Sequence, residues 1–594
     1  MPTITKNEIA ELFEAIALLL ELKGENVFKI RAYTNAARAL ETFTGDLAKA
    51  VAENQLGEIP GIGKAIAEKI TELLATGELA YYNKLKVDFP PGLFEMFDIQ
   101  GLGPKKIKAV WEKLGVTSVP ELEAACKDGR VAELPGFGKK TADNILAAIE
   151  ARSKYAGRFR IGDIAPDAEA LLEELRTHPD VLQASIAGSY RRRKEIVGDL
   201  DFIVATNAPE EVSNFFIKHE QVESIIVNGA TKSSVRLKSG IQADLRVVKT
   251  SEFPFALNYF TGSKEHNIVL RSRALARGWT LNEYRLEQLS KLEGRKSKGG
   301  APQTIPDVYE ERDLYRALEL DYIEPELRED RGEIAAAEKH ELPQLLQVEN
   351  LRGTFHNHTT ASDGKCTLAE MADAAQELGL QYLGIADHSK ASFQAHGLEA
   401  DRLLAQVAEI RELNKTFGGH FRIFAGVECD VLKDGSLDFP DEVLAQLDYV
   451  VASVHASFTM PEAEMTSRII RAISNPYVTM LGHLTGRILL SRESYQVNVP
   501  AIIDAAAATG TIIELNASPW RLDMDWRWWP LAKEKGVRCA INPDAHHSSQ
   551  LNNLWFGVGI ARKGWLTRND VVNCLPLGQI EAELARKRTA LRPS

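Results

Sequence analysis

After about residue 348 the chain returns repeatedly to one unit: a short apolar run that ends in a metal-capable residue, followed by a helix-like segment. The runs end near His356, His388, Glu428, His455, His483, Glu514 and Asp544, which gives seven candidate strands with helical connections between most of them. Strands alternating with helices predict a (β/α) barrel of about seven strands, and such a barrel collects its functional residues at the strand C-termini.

Nine of the 13 histidines lie after residue 350, most of them at the ends of apolar runs. His356-Asn357-His358 is an i, i+2 pair on one strand face, and Asp363, His388, Glu428, His455, His483, Asp544 and His546 follow at other strand ends. A hydrogen-bonded core or surface role is the commoner fate of any one histidine, and His396, His420 and His547 fit it. Six histidines and three acids together exceed what one zinc ion needs, so the set predicts two or three metals. The order His-x-His, Asp, Asp-His, Glu, His, His, Asp-x-His resembles the PHP (polymerase and histidinol phosphatase) domain across nearly all of residues 350–594, with no expected ligand position lost. The resemblance implies a distorted (β/α)7 barrel and a metal-dependent phosphoesterase, here a 3'-5' exonuclease or related 3'-end processing activity. The mixed imidazole and carboxylate set fits Mn2+, Zn2+ or Fe ions. Arg487, two residues after Thr485, is a candidate phosphate clamp because guanidinium matches phosphate geometry; a surface salt bridge is its alternative.

The first half is built differently. Residues 1 to about 155 read as short amphipathic helices, with Ile9, Leu12, Ile16 and Leu19 at helical spacing. Three related turns lead into helix-forming stretches: Pro60-Gly61-Ile62-Gly63-Lys64, Gly101-Leu102-Gly103-Pro104-Lys105-Lys106 and Pro135-Gly136-Phe137-Gly138-Lys139-Lys140. A Gly-x-Gly turn before a helix lets backbone N–H groups approach a phosphate, and the lysines add salt-dependent contacts. One such turn is an ordinary tight turn as readily as a binding site; three copies shift the balance. They resemble helix-hairpin-helix motifs, which grip the DNA backbone. The first copy also resembles the lyase domain of polymerase beta, and the match puts Lys69 at the Schiff-base position, with an exposed DNA-contacting lysine as the alternative.

From about 155 to 250, apolar runs such as Asp201-Phe202-Ile203-Val204-Ala205 and Asp244-Leu245-Arg246-Val247-Val248 predict strands of a mixed sheet. Strand alternation puts Asp199 and Asp201 on one face, and Asp244 from a neighbouring strand can complete a site for two magnesium ions. Such ions activate a primer 3'-hydroxyl and neutralise departing pyrophosphate. Gly188-Ser189-Tyr190-Arg191-Arg192 followed by Asp199-Leu200-Asp201 resembles the nucleotidyltransferase signature, which implies that Gly188, Ser189 and Arg192 bind the triphosphate. Arg193 stands where relatives usually have glycine. Tyr259-Phe260-Thr261-Gly262-Ser263, with Asn267 and Arg271, resembles the nucleotide-selection motif of family X DNA polymerases. By that match Tyr259, Phe260 and Gly262 lie at the sugar, Asn267 at the base edge and Arg271 at the template strand.

A net charge of −12 says little for a chain of several domains, so local clusters matter: Arg191 to Lys194, Lys105 to Lys108 and Lys291 to Lys298 are basic islands. Five scattered cysteines without CxxC spacing, no export signal and no apolar run long enough to span a bilayer predict a cytoplasmic protein without membrane contact. The expected division is a lyase-like domain over 1–85, a helix-hairpin-helix domain over 86–154, a palm over 155–250, a nucleotide-selection domain over 251–325, a charged linker over 326–347 and the PHP domain over 348–594. The expected enzyme is a multidomain α/β, monomeric DNA polymerase that fills gaps in repair from deoxynucleoside triphosphates on gapped or primer-template DNA. It uses Mg2+ or Mn2+ at the polymerase site and trims 3' ends. A repair nuclease or abasic-site endonuclease with secondary polymerisation, a scaffold with vestigial sites, and a small-molecule phosphatase fused to a polymerase are the competing readings.

Overall fold

The computed structural model describes residues 6–43, 47–53, 55–99, 101–155, 157–289 and 304–589, so the Lys291–Lys298 island lies outside the described residues. The chain divides into two compact units, 1–156 and 157–594.

The first unit is helical. Residues 1–85 and 86–154, expected as separate domains, share one apolar core in which Phe13, Ile16 and Leu20 meet Ile107, Val110, Leu122 and Ile145. Two of the predicted turns end at helix N-caps, Gly63 before Lys64–Thr76 and Gly103 before Pro104–Leu114, while the third runs into the helix Gly138–Lys154. Gly61, Gly101 and Gly136 have φ of +93°, +84° and +87°, a region that side chains disfavour, so the turn itself demands glycine there.

The second unit opens with a mixed five-stranded sheet in the order Val181–Ile186, Asp199–Thr206, Gln242–Val248, Lys232–Leu237, Val222–Asn228. Its two central strands run parallel with Asp201 opposite Asp244. The helix Ile161–Thr177 covers one face. Next come the helices Phe253–Thr261 and Lys264–Ala276. The segment 326–347 is no linker: Arg328 and Glu333 are fully buried, and only Glu333–Glu338 is helical. Two of its charges face inward, Arg328 on Glu311 at 2.5 Å and Glu333 on His266 at 2.8 Å.

The strands after residue 350 are parallel. Gly353–Asn357, Tyr382–Ile385 and Arg422–Ala425 form one sheet, and Glu428–Asp430, Val451–Ser453, Met480–Leu481, Ile512–Asn516 and Cys539–Asn542 form the other. A parallel bridge between His388 and Glu428 joins the two sheets, and another between Asn357 and Ala545 brings the last strand beside the first. Inside lie Phe355, Tyr382, Phe424 and Tyr449 in mutual ring contact. The five cysteines are buried and unbridged. No described helix is long and apolar enough to cross a membrane.

This barrel-like body and the palm share one hydrophobic core, which runs from Leu171, Phe202 and Leu245 to Ile385, Ile423 and Ile541. Gly162 of the palm helix packs directly against that body: a Cβ there would lie 2.2 Å from Cβ of Pro519. Overpacking a formed core typically costs about 1–3 kcal/mol. Gly162→Ala is therefore expected to lower the thermal unfolding midpoint, which differential scanning calorimetry would read directly; an unchanged midpoint would mean the junction yields freely.

Candidate active sites

The polymerase-type site is built on the parallel pairing of two strands. Asp199 and Asp201 are i, i+2 on one, and register puts Asp244 beside Asp201 on the other. The second strand begins at Gln242, two residues before the predicted start at Asp244. Burial first, then Asp199 and Asp244, push the Asp201 carboxyl up to about 7, and burial with Asp244 raises Asp199. Asp244 goes the other way. Burial would raise it, but hydrogen bonds from Lys232, Gln242 and Ser234 outweigh that and hold it low. Lys232 Nζ lies 2.7 Å from Asp244 Oδ2, a cation that the sequence reading missed because only the register of the antiparallel strand Lys232–Leu237 reveals it. Three crowded carboxylates, two of them with raised proton affinity, are a site that favours divalent cations.

Gly188 explains itself by contact: at φ +64°, a Cβ would lie 2.3 Å from Asp201 Oδ2. Ser189 follows in the short helix Gly188–Arg191. Arg192 is held by Glu329 at 3.1 Å and donates to the carbonyl of Thr261, so it joins the Gly-Ser loop to the Tyr259–Gly262 segment. A Cβ on Gly262, at φ +71°, would come within 3.0 Å of Arg192 Nη1. Tyr259 and Phe260 pack edge to face at 5.1 Å, and Phe260 lies 4.8 Å under the Arg246 guanidinium. Asn267 Nδ2 donates to the Tyr259 carbonyl at 2.7 Å while its Oδ1 is buried without a partner, and Arg271 Nε donates to the Asn267 carbonyl. The basic island Arg191–Lys194 is internal: Arg191 pairs with Glu311, Arg192 and Lys194 with Glu329, and Arg193 lies 3.6 Å over Trp555.

The second site gathers all nine residues marked from the sequence. Four overlapping groups have ligand atoms within 4.8 Å of one another: His358, Asp363, His388 and His546; His356, His358 and Glu428; His356, His483 and Asp544; His388, Glu428 and His455. Glu428 is the shared centre, with His388 Nδ1 at 2.8 Å, His483 Nε2 at 2.9 Å, and His356 Nε2 and His455 Nε2 both at 3.1 Å. The histidines around it outweigh burial and hold its carboxyl well below the usual range. A register irregularity between Thr354 and Asn357, with His356 at φ +56°, aims the first histidine pair, and Asp544 has φ +52°. Non-glycine residues kept in this region are typical of functional sites.

The residues fit metal ions by a test of their own. His356 Nε2, both ring nitrogens of His358, His388 Nδ1, His483 Nδ1 and Glu428 Oε2 are buried with no hydrogen-bond partner, although several lie within 4 Å of an opposite group. Buried polar atoms are almost always hydrogen-bonded, and lone pairs aimed at a common point instead of at each other are what a cation requires.

Two residues around the cage went unassigned in the sequence. Glu514, marked only as a run end, takes His356 Nδ1 at 2.6 Å and the His483 N–H at 3.0 Å. Arg521 Nε lies 3.4 Å from Asp544 Oδ2, and its Nη1 is buried without a partner. Arg487, expected as the phosphate clamp, is committed elsewhere: it donates to the carbonyls of Arg521 and Leu522, and pairs with Asp525 at 3.1 Å and Glu195 of the palm at 3.4 Å.

In the helical unit, Lys64, Lys105 and Lys139 are exposed beside their turns. At Gly63 and Gly103 φ is −82° and −73°, and a Cβ would meet nothing within 4 Å among the described residues. Neither the backbone nor internal packing demands glycine at these two helix N-caps. Lys69 Nζ lies 3.2 Å from the Ala65 carbonyl and 5.2 Å from the Tyr81 ring, which Lys29 also approaches at 5.7 Å.

A nucleotidyltransferase palm joined to a histidine-rich metal cage defines a two-site enzyme class, divalent-metal dependent at both sites. Comparison with known proteins agrees: residues 4–79 match the Helix-hairpin-helix domain, 94–151 the SAM-like Helix-hairpin-helix tandem, 256–329 the DNA polymerase beta thumb and 354–518 the PHP domain. The chain is 38% identical over 583 residues, 98% of its length and 99% of the relative's, to the DNA polymerase/3'-5' exonuclease PolX of Bacillus subtilis. It is 26% identical over 343 residues to DNA polymerase lambda of Rattus norvegicus, covering 54% of this chain and 56% of that one. A Probable phosphatase of Thermoanaerobacter sp. matches 39% of this chain and 94% of its own length at 30% identity. The chain belongs to the family X DNA polymerases that carry a C-terminal PHP domain.

Outer carboxylates that orient metal-bound histidines typically contribute about 10–100-fold in metal affinity. Glu514→Gln should weaken metal retention on that scale, read as bound metal per chain after chelator challenge, with the Asp199 site unaffected. Retention equal to wild type would make Glu514 a packing residue.

Proposed function

We propose that this DNA polymerase and 3'-5' exonuclease fills short gaps in DNA repair, and that its two sites act on the same primer end. Asp199, Asp201 and Asp244 would hold two Mg2+ or Mn2+ ions, whose charge would favour ionisation of the primer 3'-hydroxyl and offset that of the pyrophosphate leaving group. Ser189 and Arg192 orient the triphosphate. Tyr259 and Phe260 border the sugar, Asn267 the base edge and Arg271 the template strand. The helix-hairpin-helix turns hold the DNA backbone through open N–H groups at Gly61, Gly63, Gly101, Gly103, Gly136 and Gly138. That reading is supported by glycines at positions 63 and 103 that the fold itself does not need.

In the PHP half the nine-residue cage holds two or three Mn2+, Zn2+ or Fe ions that supply a nucleophile for phosphodiester hydrolysis near neutral pH. Arg521 replaces Arg487 as the candidate phosphate clamp, on the strength of its unpartnered buried Nη1 beside Asp544. Lys69, 5.2 Å from the Tyr81 ring, is the lyase candidate. The protein acts as a cytoplasmic monomer in this reading.

The observation that carries the two-activity reading over a vestigial scaffold is the set of buried, unpartnered ligand atoms in the cage. A decayed site would have closed them with hydrogen bonds. The test is a 5'-labelled primer on gapped duplex with Mn2+, with and without nucleotides. Asp199→Ala/Asp201→Ala should lose extension by at least about 1000-fold and keep shortening, and His356→Ala/His358→Ala the reverse. Wild-type protein that binds the gap yet neither extends nor shortens the primer would leave the scaffold reading standing.

A further inference from the structure

The loop that carries Arg192 is gripped from behind by the PHP half. Lys563 ends the helix Leu554–Lys563, and its side chain is fully buried. Its Nζ lies 3.0 Å from the carbonyl oxygen of Arg192, 2.5 Å from Glu329 Oε1 and 4.7 Å from the Trp526 ring. The same Glu329 oxygen accepts from Arg192 Nε at 3.1 Å, and Lys194 lies 3.4 Å from Oε2. Arg192 Nη1 donates to the Thr261 carbonyl. Two nitrogens of the guanidinium are thus committed to protein acceptors, which leaves Nη2 as the edge for a phosphate.

Charge decides what this arrangement does. A carboxylate in contact with Arg192 fixes its orientation, but alone it would also cancel the positive charge that an anionic triphosphate needs. In a site shielded from water that cancellation is little screened. We propose that Lys563 is a positioning residue for the incoming nucleotide: it neutralises Glu329, so that Glu329 orients Arg192 without cancelling its charge. The proposal rests on the reading of Arg192 as a triphosphate contact. Lys194 cannot substitute fully, because about a third of its side chain is exposed and its charge is screened. Burial lowers the Lys563 amine to about 8 against the pull of Glu329, so it remains charged at neutral pH.

The test uses the full chain on gapped duplex at neutral pH, with KM for the deoxynucleoside triphosphate and kcat measured separately. Lys563→Met, which keeps the apolar stem, should raise KM by about 10-fold with kcat and 3'-end trimming within about twofold. Lys563→Met/Glu329→Gln keeps a hydrogen-bond acceptor but removes the charge, and should return KM to within about threefold of wild type. Loss of a residue with only a structural role would lower kcat, 3'-end trimming and the unfolding midpoint together and would not move KM alone. Wild-type KM in Lys563→Met, or a double variant as defective as the single one, overturns the proposal. Arg192→Ala separates the layers. If it leaves KM unchanged, the reading of Arg192 and the proposal fall together; if it raises KM while Lys563→Met does not, only the proposal falls. Should Lys563→Met fail to fold, Glu329→Gln alone decides: KM equal to or below wild type supports the proposal, and KM raised about 10-fold overturns it.

Discussion

Charge buried between the palm and the PHP half is what the rest of the larger unit depends on. Glu326 meets Arg562 at 2.7 Å, Glu329 meets Lys563 at 2.5 Å and Glu195 meets Arg487 at 3.4 Å, each pair crossing from the polymerase half to the PHP half. Buried ions gain little net stability when paired, yet losing one partner costs about 3–5 kcal/mol because the other is left stranded. The junction is therefore weak as glue and strong as a specification: one relative placement satisfies every charge. The shared apolar core supplies cohesion, and the ion pairs fix the geometry.

The two metal sites solve the same electrostatic problem in opposite ways. In the palm, three carboxylates face one another, and Lys232 holds Asp244 low while Lys232 and Arg246 only partly offset burial and mutual repulsion at Asp201. Asp201 and Asp199 stay raised, as suits a site still open to cations. In the PHP cage, imidazoles surround Glu428 and Asp544 on several sides, so the carboxylates are stabilised as anions before any substrate arrives. That difference follows from where each site sits: at the exposed end of two paired strands in one case, and at the convergence of seven apolar runs in the other.

What could be read from the sequence was whatever a local pattern encodes. Run ends gave the nine cage residues, strand alternation gave the aspartate pair, and repeated Gly-x-Gly turns gave the helix starts at 64, 104 and 138. What could not be read depended on long-range pairing. Residues 326–347 look solvated by composition, yet Arg328 and Glu333 are fully buried because their partners, Glu311 and His266, come from far along the chain. The island Arg191–Lys194 read as a nucleic-acid patch for the same reason, and Arg487 read as a clamp because Glu195, nearly three hundred residues earlier, was invisible beside it. Glu514 was marked as a strand end, but its role needs the 2.6 Å contact with His356.

Arg193 shows how such a contact can replace a local rule. A left-handed residue without glycine costs roughly 1–2 kcal/mol, and Arg193 has φ +54°. Its side chain anchors it across the junction: the guanidinium stacks 3.6 Å over Trp555, and its stem rests on Gly559, where a Cβ would come within 3.1–3.3 Å. Glycine would satisfy the turn equally well but would remove the anchor on Trp555. With arginine there, Arg193 pins the loop through its side chain and Lys563 pins it through the Arg192 carbonyl. The loop that carries Ser189 and Arg192 is thereby made part of the PHP surface, so its geometry is set by residues from both halves of the chain.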